Sequence, residues 1–114
     1  MKDRLFLLEN EFADADLPGR RFYCRDCITL NGLLAAFPDR VAELDVIRVP
    51  HRHPREAVID AIGAENQWLP VLVFGDAGRA DLADGEYQGR MFVREMPHLL
   101  HALHLRHGFP EPHP

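Results

Sequence analysis

Long apolar runs, basic tracts and numerous cysteines are all missing from this sequence of 114 residues. The longest apolar stretches are far too short to cross a bilayer, so we expect no membrane partner. The net charge is −5 with histidines neutral, and no basic tract extends beyond Arg20-Arg21 and His51-Arg52-His53. This charge argues against a nucleic-acid partner. Residues 1–5 lead into no long apolar segment of the signal-peptide kind, so we expect a cytoplasmic protein.

The remaining composition is typical of a folded globular domain. Hydrophobic residues make up 46% and charged residues 27% of the chain, which excludes a disordered or fibrous protein. The length fits one domain, and neither an internal repeat nor a linker divides residues 1–114. We therefore predict a single domain over the whole chain.

Hydrophobic patterning predicts the element order β-α-β-α-β-β-α. Strands are expected at residues 4–8, 44–49, 71–74 and 90–93, and helices at residues 24–37, 55–62 and 96–107. The first strand, helix and second strand form a right-handed βαβ unit, in which the two strands are parallel. Residues 9–21 and 79–89 are polar and are expected to form exposed loops.

The two cysteines, Cys24 and Cys27, lie between the first predicted strand and the first predicted helix. A Cys-x-x-Cys pair at this place in an intracellular chain indicates redox chemistry. Cys24 falls at the helix N-terminus, where unpaired N–H groups and the helix dipole favour the reactive thiolate. Cys27 follows one turn later and is the candidate resolving thiol. Arg25 would stabilise the Cys24 thiolate and Asp26 would oppose it. The alternative to redox chemistry is a pair of reduced cysteines with no functional role.

The element order and three segments resemble the thioredoxin-like superfamily over essentially the whole chain. The segments are Phe22-Tyr23-Cys24-x-x-Cys27, Leu69-Pro70-Val71-Leu72-Val73 and the C-terminal eight residues from His107. The size is similar to glutaredoxin and to the N-terminal domain of glutathione transferases. The same segments resemble a small bacterial family known only as a domain of unknown function. The resemblance implies an α/β fold with a mixed four-stranded sheet and helices on both faces.

The resemblance also implies a substrate groove beside the cysteines. Its parts would be a cis Leu69-Pro70 peptide, whose preceding backbone pairs with a peptide-like substrate, and the flanking aromatics Tyr23 and Trp68. Each aromatic has a plain alternative, since Tyr23 would otherwise be half buried at a strand end and Trp68 would cap the core. The two residues between the cysteines are Arg-Asp, whereas the usual thioredoxin-like families carry a proline there. This departure argues against the disulfide-reducing power that is ordinary for those families.

Glutathione transferases are similar to this chain at one further position. Glu95 matches the acid that holds the γ-glutamyl end of glutathione, whereas Met96 replaces the serine that follows it. The alternative is a solvated Glu95 at a helix N-terminus.

The histidines raise a metal hypothesis. His51 and His53 follow the second strand, at the same sheet edge as the cysteines, and two thiolates with two imidazoles would suit tetrahedral zinc. The tight His-x-His spacing favours a solvated loop instead, so we predict no metal and no other cofactor. A glutaredoxin-like iron–sulfur cluster shared by two chains is a further alternative. The three histidines spaced along the last helix are expected to form a solvated stripe: His98, His101 and His104.

We therefore predict a thiol–disulfide oxidoreductase that uses Cys24 and Cys27. Its partner would be a protein disulfide or a glutathione mixed disulfide, and the chain would act as a monomer or homodimer. The alternative is a thioredoxin-fold binding or redox-sensing protein without turnover, whose cysteines would hold a metal or sense the redox state.

Overall fold

Short apolar strands build a mixed five-stranded sheet at the centre of the molecule. The computed structural model describes residues 1–114. The elements, in chain order, are β1 (Asp3–Leu8), α1 (Arg25–Ala36), β2 (Leu44–Val49), α2 (Glu56–Ile62), β3 (Val71–Val73), β4 (Gly85–Tyr87), β5 (Arg90–Val93) and α3 (Met96–His107). Two short 3-10 turns, Pro38–Arg40 and Ala80–Leu82, complete the regular structure. The predicted α/β class and the mixed sheet are confirmed.

The strands lie in the order β2-β1-β3-β5-β4. β1 is parallel to β2, as the βαβ pattern predicted, and the remaining neighbours are antiparallel. Leu5 at the middle of β1 faces Val46 of β2 on one side and Leu72 of β3 on the other. Strand β1 is therefore an interior strand between β2 and β3, and all of its residues except Arg4 are buried.

The prediction of four strands is wrong, because β4 forms within the segment that we expected to be an exposed loop. A two-residue turn joins β4 to β5, and Tyr87 pairs with Arg90 across it. The turn residues Gln88 and Gly89 have φ angles of 50° and 82°. Two consecutive positive φ angles match the right-handed twist of the adjoining strands, which allows this tight hairpin to close.

The helices cover both faces of the sheet, as predicted. Leu5 and Leu7 of β1 share one buried cluster with α1 and α3, represented by Leu30 and Leu99. Phe6 points to the opposite face and shares a second cluster with α2. This division follows from the strand geometry, since successive side chains alternate between the two faces. None of the three helices has the length and apolarity needed to span a membrane.

A buried ionic network ties the start of the chain to its last helix. The Asp3 carboxylate accepts hydrogen bonds from Arg106 Nε and Nη2, both at 2.7 Å, and from the Gly75 backbone N–H at 2.7 Å. His107 Nε2 donates to the same carboxylate at 2.8 Å. Only 4% of the Asp3 side chain is exposed. Burial alone raises the pKa of Asp3, but these hydrogen bonds outweigh burial and hold it well below its usual range.

Candidate functional site

The two cysteines lie at the N-terminus of α1. Cys24 is the N-cap residue, and its Sγ accepts a hydrogen bond from the Cys27 backbone N–H at 3.2 Å. Both thiols are free. An N-cap acceptor satisfies one of the unpaired amides of the first turn, and a negative charge on Sγ interacts favourably with the helix dipole. The predicted helix start at Cys24 is therefore displaced by one residue, and Cys24 occupies the cap position.

Cys27 differs from Cys24 in its exposure to solvent. Cys27 is 2% exposed and belongs to the buried cluster beneath α1, whereas Cys24 is half-buried. Burial raises the pKa of the Cys27 thiol to about 12, and its interaction with Cys24 acts in the same direction. Cys27 thus stays protonated at neutral pH. The asymmetry makes Cys24 the accessible sulfur and Cys27 the protected one.

A buried arginine that the sequence did not single out lies near the pair. Arg55 is 8% exposed. Its guanidinium donates twice to the His51 carbonyl, at 3.0 and 2.6 Å, and once to the Gln67 carbonyl at 2.6 Å. No carboxylate pairs with it. Burial lowers the pKa of Arg55 from its ordinary value, while negative charge on either cysteine opposes that effect. Arg55 therefore braces two loops and adds a positive charge to the surroundings of the cysteines.

We expect Arg55→Met to lower the free energy of unfolding by about 1–3 kcal/mol, because two carbonyl groups lose a charged donor. The variant should also react more slowly with iodoacetamide at pH 7, since a positive charge near Cys24 favours its thiolate. Urea titration and timed alkylation measure the two effects. Arg55→Lys should keep more of the alkylation rate than of the stability. Exposed Arg52, changed to Met, is the matched control, and an equal loss in that variant would contradict a specific role for Arg55.

A groove of about 310 Å³ opens beside the first turn of α1. Its lining brings together four of the predicted site residues and two others: Trp68, Leu69, Pro70 and Glu95, with Asp26 and Arg94. The Leu69-Pro70 peptide bond is cis, as the resemblance implied, and a second cis bond precedes Pro54. The Leu69 backbone N–H and carbonyl make no hydrogen bond within the chain. The groove therefore offers the unpaired main chain of Leu69 next to Asp26, one of the two residues between the cysteines.

Trp68 forms one wall of this groove. The side chain is 56% exposed, and the Arg94 guanidinium carbon lies 3.9 Å from its ring centroid. Trp68 therefore lies at the surface of the groove and does not cover the core, which was the alternative position. Arg94 was not predicted as a site residue, because a stacking partner 26 positions away leaves no local signal in the sequence.

The other predicted residues lie outside the groove lining. Tyr23 is 61% exposed and makes no hydrogen bond through its hydroxyl. Arg25 is exposed as well and forms no ion pair. Both flank Cys24 from the solvent side. Of the two residues between the cysteines, only Asp26 lines the groove.

Glu95 is the N-cap residue of α3, but its side chain does not cap the helix. Asp84, from the loop before β4, bonds the two residues that lead into the helix: its Oδ2 accepts from the Arg94 N–H at 3.1 Å and from the Glu95 N–H at 3.0 Å. The Glu95 carboxylate is left exposed at the groove edge. Asp84 was missed because it belongs to the segment that was expected to be an unstructured loop.

The histidines do not assemble a metal centre with the cysteines. No group of three or more His, Cys, Asp or Glu side chains has an arrangement that could hold a metal ion. His51 instead stacks on Phe12, with ring centroids 4.6 Å apart. His98 and His101 are solvated, as expected for the helix stripe, and His104 bonds the Phe109 carbonyl at 2.8 Å.

The fold and the site define a small α/β protein with a Cys-x-x-Cys pair at the start of its first helix. Residues 2–111 match the model of a family described as protein of unknown function (DUF3088), and the chain belongs to this family. No curated protein and no solved structure matches the chain.

Proposed function

We propose that this protein is a thioredoxin-like thiol–disulfide oxidoreductase, with Cys24 as nucleophile and Cys27 as resolving thiol. The observation that carries the proposal is the 3.2 Å hydrogen bond from the Cys27 N–H to Cys24 Sγ at a helix N-terminus. Disulfide exchange needs a thiolate as the attacking species. The cap position favours that thiolate, and the half-buried state of Cys24 leaves it within reach of a substrate disulfide.

The reaction proceeds in two exchanges. The Cys24 thiolate attacks one sulfur of the substrate disulfide, which forms a mixed disulfide and releases the other substrate sulfur as a thiolate. Cys27 then loses its proton to that thiolate or to water and attacks Cys24 Sγ. The Cys24–Cys27 disulfide forms, and the second substrate thiol leaves. The substrate gains two electrons, the protein loses two, and a small thiol such as dithiothreitol restores the reduced pair.

The groove beside Asp26 supports a substrate with a peptide backbone. Leu69 has a free backbone N–H and carbonyl, which can pair with an extended chain as an added strand does. A protein disulfide or a glutathione mixed disulfide would each bring a peptide group to this position. We propose these two as the substrate classes.

Reduction of insulin by dithiothreitol, with and without the protein, tests the proposal. We expect the protein to accelerate the reduction and Cys24→Ser to return it to the rate of the reductant alone, because serine is not a nucleophile toward disulfides. Glutathione mixed disulfides of a peptide serve as the second substrate. If neither substrate is reduced faster than by dithiothreitol, oxidoreductase turnover is rejected. A redox-sensing or binding protein would then have to show reversible Cys24–Cys27 oxidation without turnover.

A further inference from the structure

The groove contains a guanidinium whose hydrogen-bonding edge has no partner. Arg94 stacks over Trp68 at 3.9 Å, but its side chain makes no hydrogen bond and no ion pair within the chain. Stacking occupies the face of the guanidinium and leaves its in-plane N–H donors available. The exposed indole also restricts the plane of the guanidinium. Arg94 is therefore oriented in advance for a planar acceptor that enters the groove.

The position of Arg94 ties this acceptor to the cysteines. Arg94 lines the same groove as Asp26, which separates Cys24 from Cys27 in the sequence, and as Leu69, whose backbone is unpaired. A peptide bound along Leu69 with its sulfur at Cys24 would carry its neighbouring side chains past Arg94. Those side chains, which flank the reacting sulfur, would then come within reach of the Arg94 donors.

Charge in the groove narrows the ligand chemistry to one carboxylate. Arg and carboxylate form two parallel hydrogen bonds in a shared plane, which suits a stacked guanidinium. Asp26 and Glu95 also line the groove and make no ion pair within the chain. Their negative charges disfavour a phosphate, which carries close to two charges. A single carboxylate at Arg94 carries about half the charge of a phosphate and is therefore repelled less by Asp26 and Glu95.

Arg94 is the only cationic side chain in the groove lining. The backbone amides of Arg94 and Glu95, which precede α3, are already bonded by Asp84 and do not serve a ligand. The charged donor that a ligand meets in the groove is therefore the Arg94 guanidinium alone. One cationic donor suits a peptide with one acidic side chain.

We propose that the groove selects peptide disulfides that carry an acidic side chain next to the reacting cysteine, and that Arg94 reads that carboxylate. The inference rests on the proposed function, since the peptide must bring a disulfide to Cys24. Arg94 is a specificity-determining residue in this assignment, and Trp68 positions its guanidinium.

Peptide mixed disulfides with 2-thiopyridine provide the test. Three peptides differ only in the residue next to cysteine, which is Glu, Gln or Lys, and the glutathione derivative is a fourth substrate. Release of thiopyridone gives the second-order rate constant for the reduced protein. Each constant is divided by that for 2-mercaptoethanol with the same substrate, which removes intrinsic differences in disulfide reactivity.

We expect a Glu-to-Gln rate ratio of about tenfold or more, the effect of a hydrogen-bonded charge. Arg94→Gln should bring the ratio close to one, and Arg94→Lys should retain part of it because the charge survives without the planar fork. Arg94→Glu should shift the preference to the Lys peptide. Arg20→Gln is the matched control, because Arg20 also stacks on an aromatic ring, Phe22, at 5.0 Å and lies outside the groove lining.

The possible failures are distinguishable. If no peptide reacts faster than with the Cys24→Ser variant, the proposed function fails. If all peptides react but Glu is not preferred, or if the preference survives Arg94→Gln, the assignment to Arg94 is wrong while the oxidoreductase stands. A faster reaction of the glutathione derivative that depends on Arg94 would overturn the peptide assignment in favour of glutathione.

Discussion

A stable mixed disulfide at Cys24 is the expected result of replacing Cys27 with serine. In the proposed mechanism the mixed disulfide of the native protein is short-lived, because Cys27 lies one turn away and would attack Cys24 Sγ. Its pKa of about 12 is raised first by burial and then by the hydrogen bond with Cys24. Formation of the mixed disulfide removes the negative charge from Cys24, so one cause of the raised pKa is lost and Cys27 ionises more easily. Serine at position 27 cannot take this step.

Intact-mass measurement after exposure to a substrate disulfide shows the trapped species. We expect about one substrate thiol bound per Cys27→Ser chain, and none on Cys24→Ser, whose remaining sulfur is buried. Dithiothreitol should release the adduct. The native protein should carry no adduct and should be found as the dithiol or the intramolecular disulfide. Equal trapping by both variants would contradict the assignment of nucleophile and resolving thiol.

The largest loss of stability is expected from Asp3→Asn. Removing the charge leaves Arg106, whose side chain is 11% exposed, with only the exposed Asp76 carboxylate at 3.1 Å as an acidic partner. The asparagine amide also places an N–H₂ group where the native carboxylate has an oxygen. That oxygen accepts from the Gly75 N–H or from Arg106 in the native protein. Breaking a buried ion pair by removing one member costs about 3–5 kcal/mol. Since a small domain has only about 5–15 kcal/mol of stability, this loss is a large fraction of the total.

The same network predicts a pH dependence of stability. The pKa of Asp3 in the folded protein lies below that of an unfolded aspartate, about 3.9. The stabilisation is therefore fully present above that unfolded value and is lost as the pH falls from there toward the folded value. Urea titrations of the native protein and Asp3→Asn should show their full difference in stability above about pH 5, and this difference should shrink progressively as the pH falls below about 4.

Asp45→Asn is the matched control for this experiment. Asp45 lies on the neighbouring strand, and its carboxylate is 56% exposed and 4.0 Å from Lys2. Exposed pairs of this kind contribute about 0–1 kcal/mol. A loss in Asp45→Asn as large as in Asp3→Asn, or a pH-independent difference between the native protein and Asp3→Asn, would refute the network as the source of the effect.

Much of the architecture was predictable from local patterns. Alternating and continuous apolar runs located β1, β2, β3 and β5, and helical spacing located all three helices. Strand β4 was missed because its three residues, Gly-Glu-Tyr, form no apolar alternation and its pairing depends on the turn at Gln88 and Gly89. A short edge strand is stabilised by its partner strand, and a single-sequence pattern carries little of that information.

The candidate site was predictable in part. Two of its components were marked in the sequence, by the spacing of Cys24 and Cys27 and by the Leu69-Pro70 pair. The cysteines lie at the start of α1, and Leu69 and Pro70 line the groove beside it. Arg55 and Arg94 were not found, because an arginine in a loop or at a strand end has no pattern that separates it from a solvated one. Their roles depend on carbonyl groups and an indole ring that other segments supply.

The sequence by itself determined where the helices and strands form and where the two thiols sit along the first helix. These properties depend on neighbours within a few residues, through hydrogen-bonded turns, apolar periodicity and cap positions. The tertiary structure alone decided which charges are buried and what meets at the groove. Asp3 and Arg106 are 103 positions apart, and Asp3 and Gly75 are 72 apart. Such contacts exist only after the sheet order brings distant segments together, since burial and pairing are properties of the folded whole.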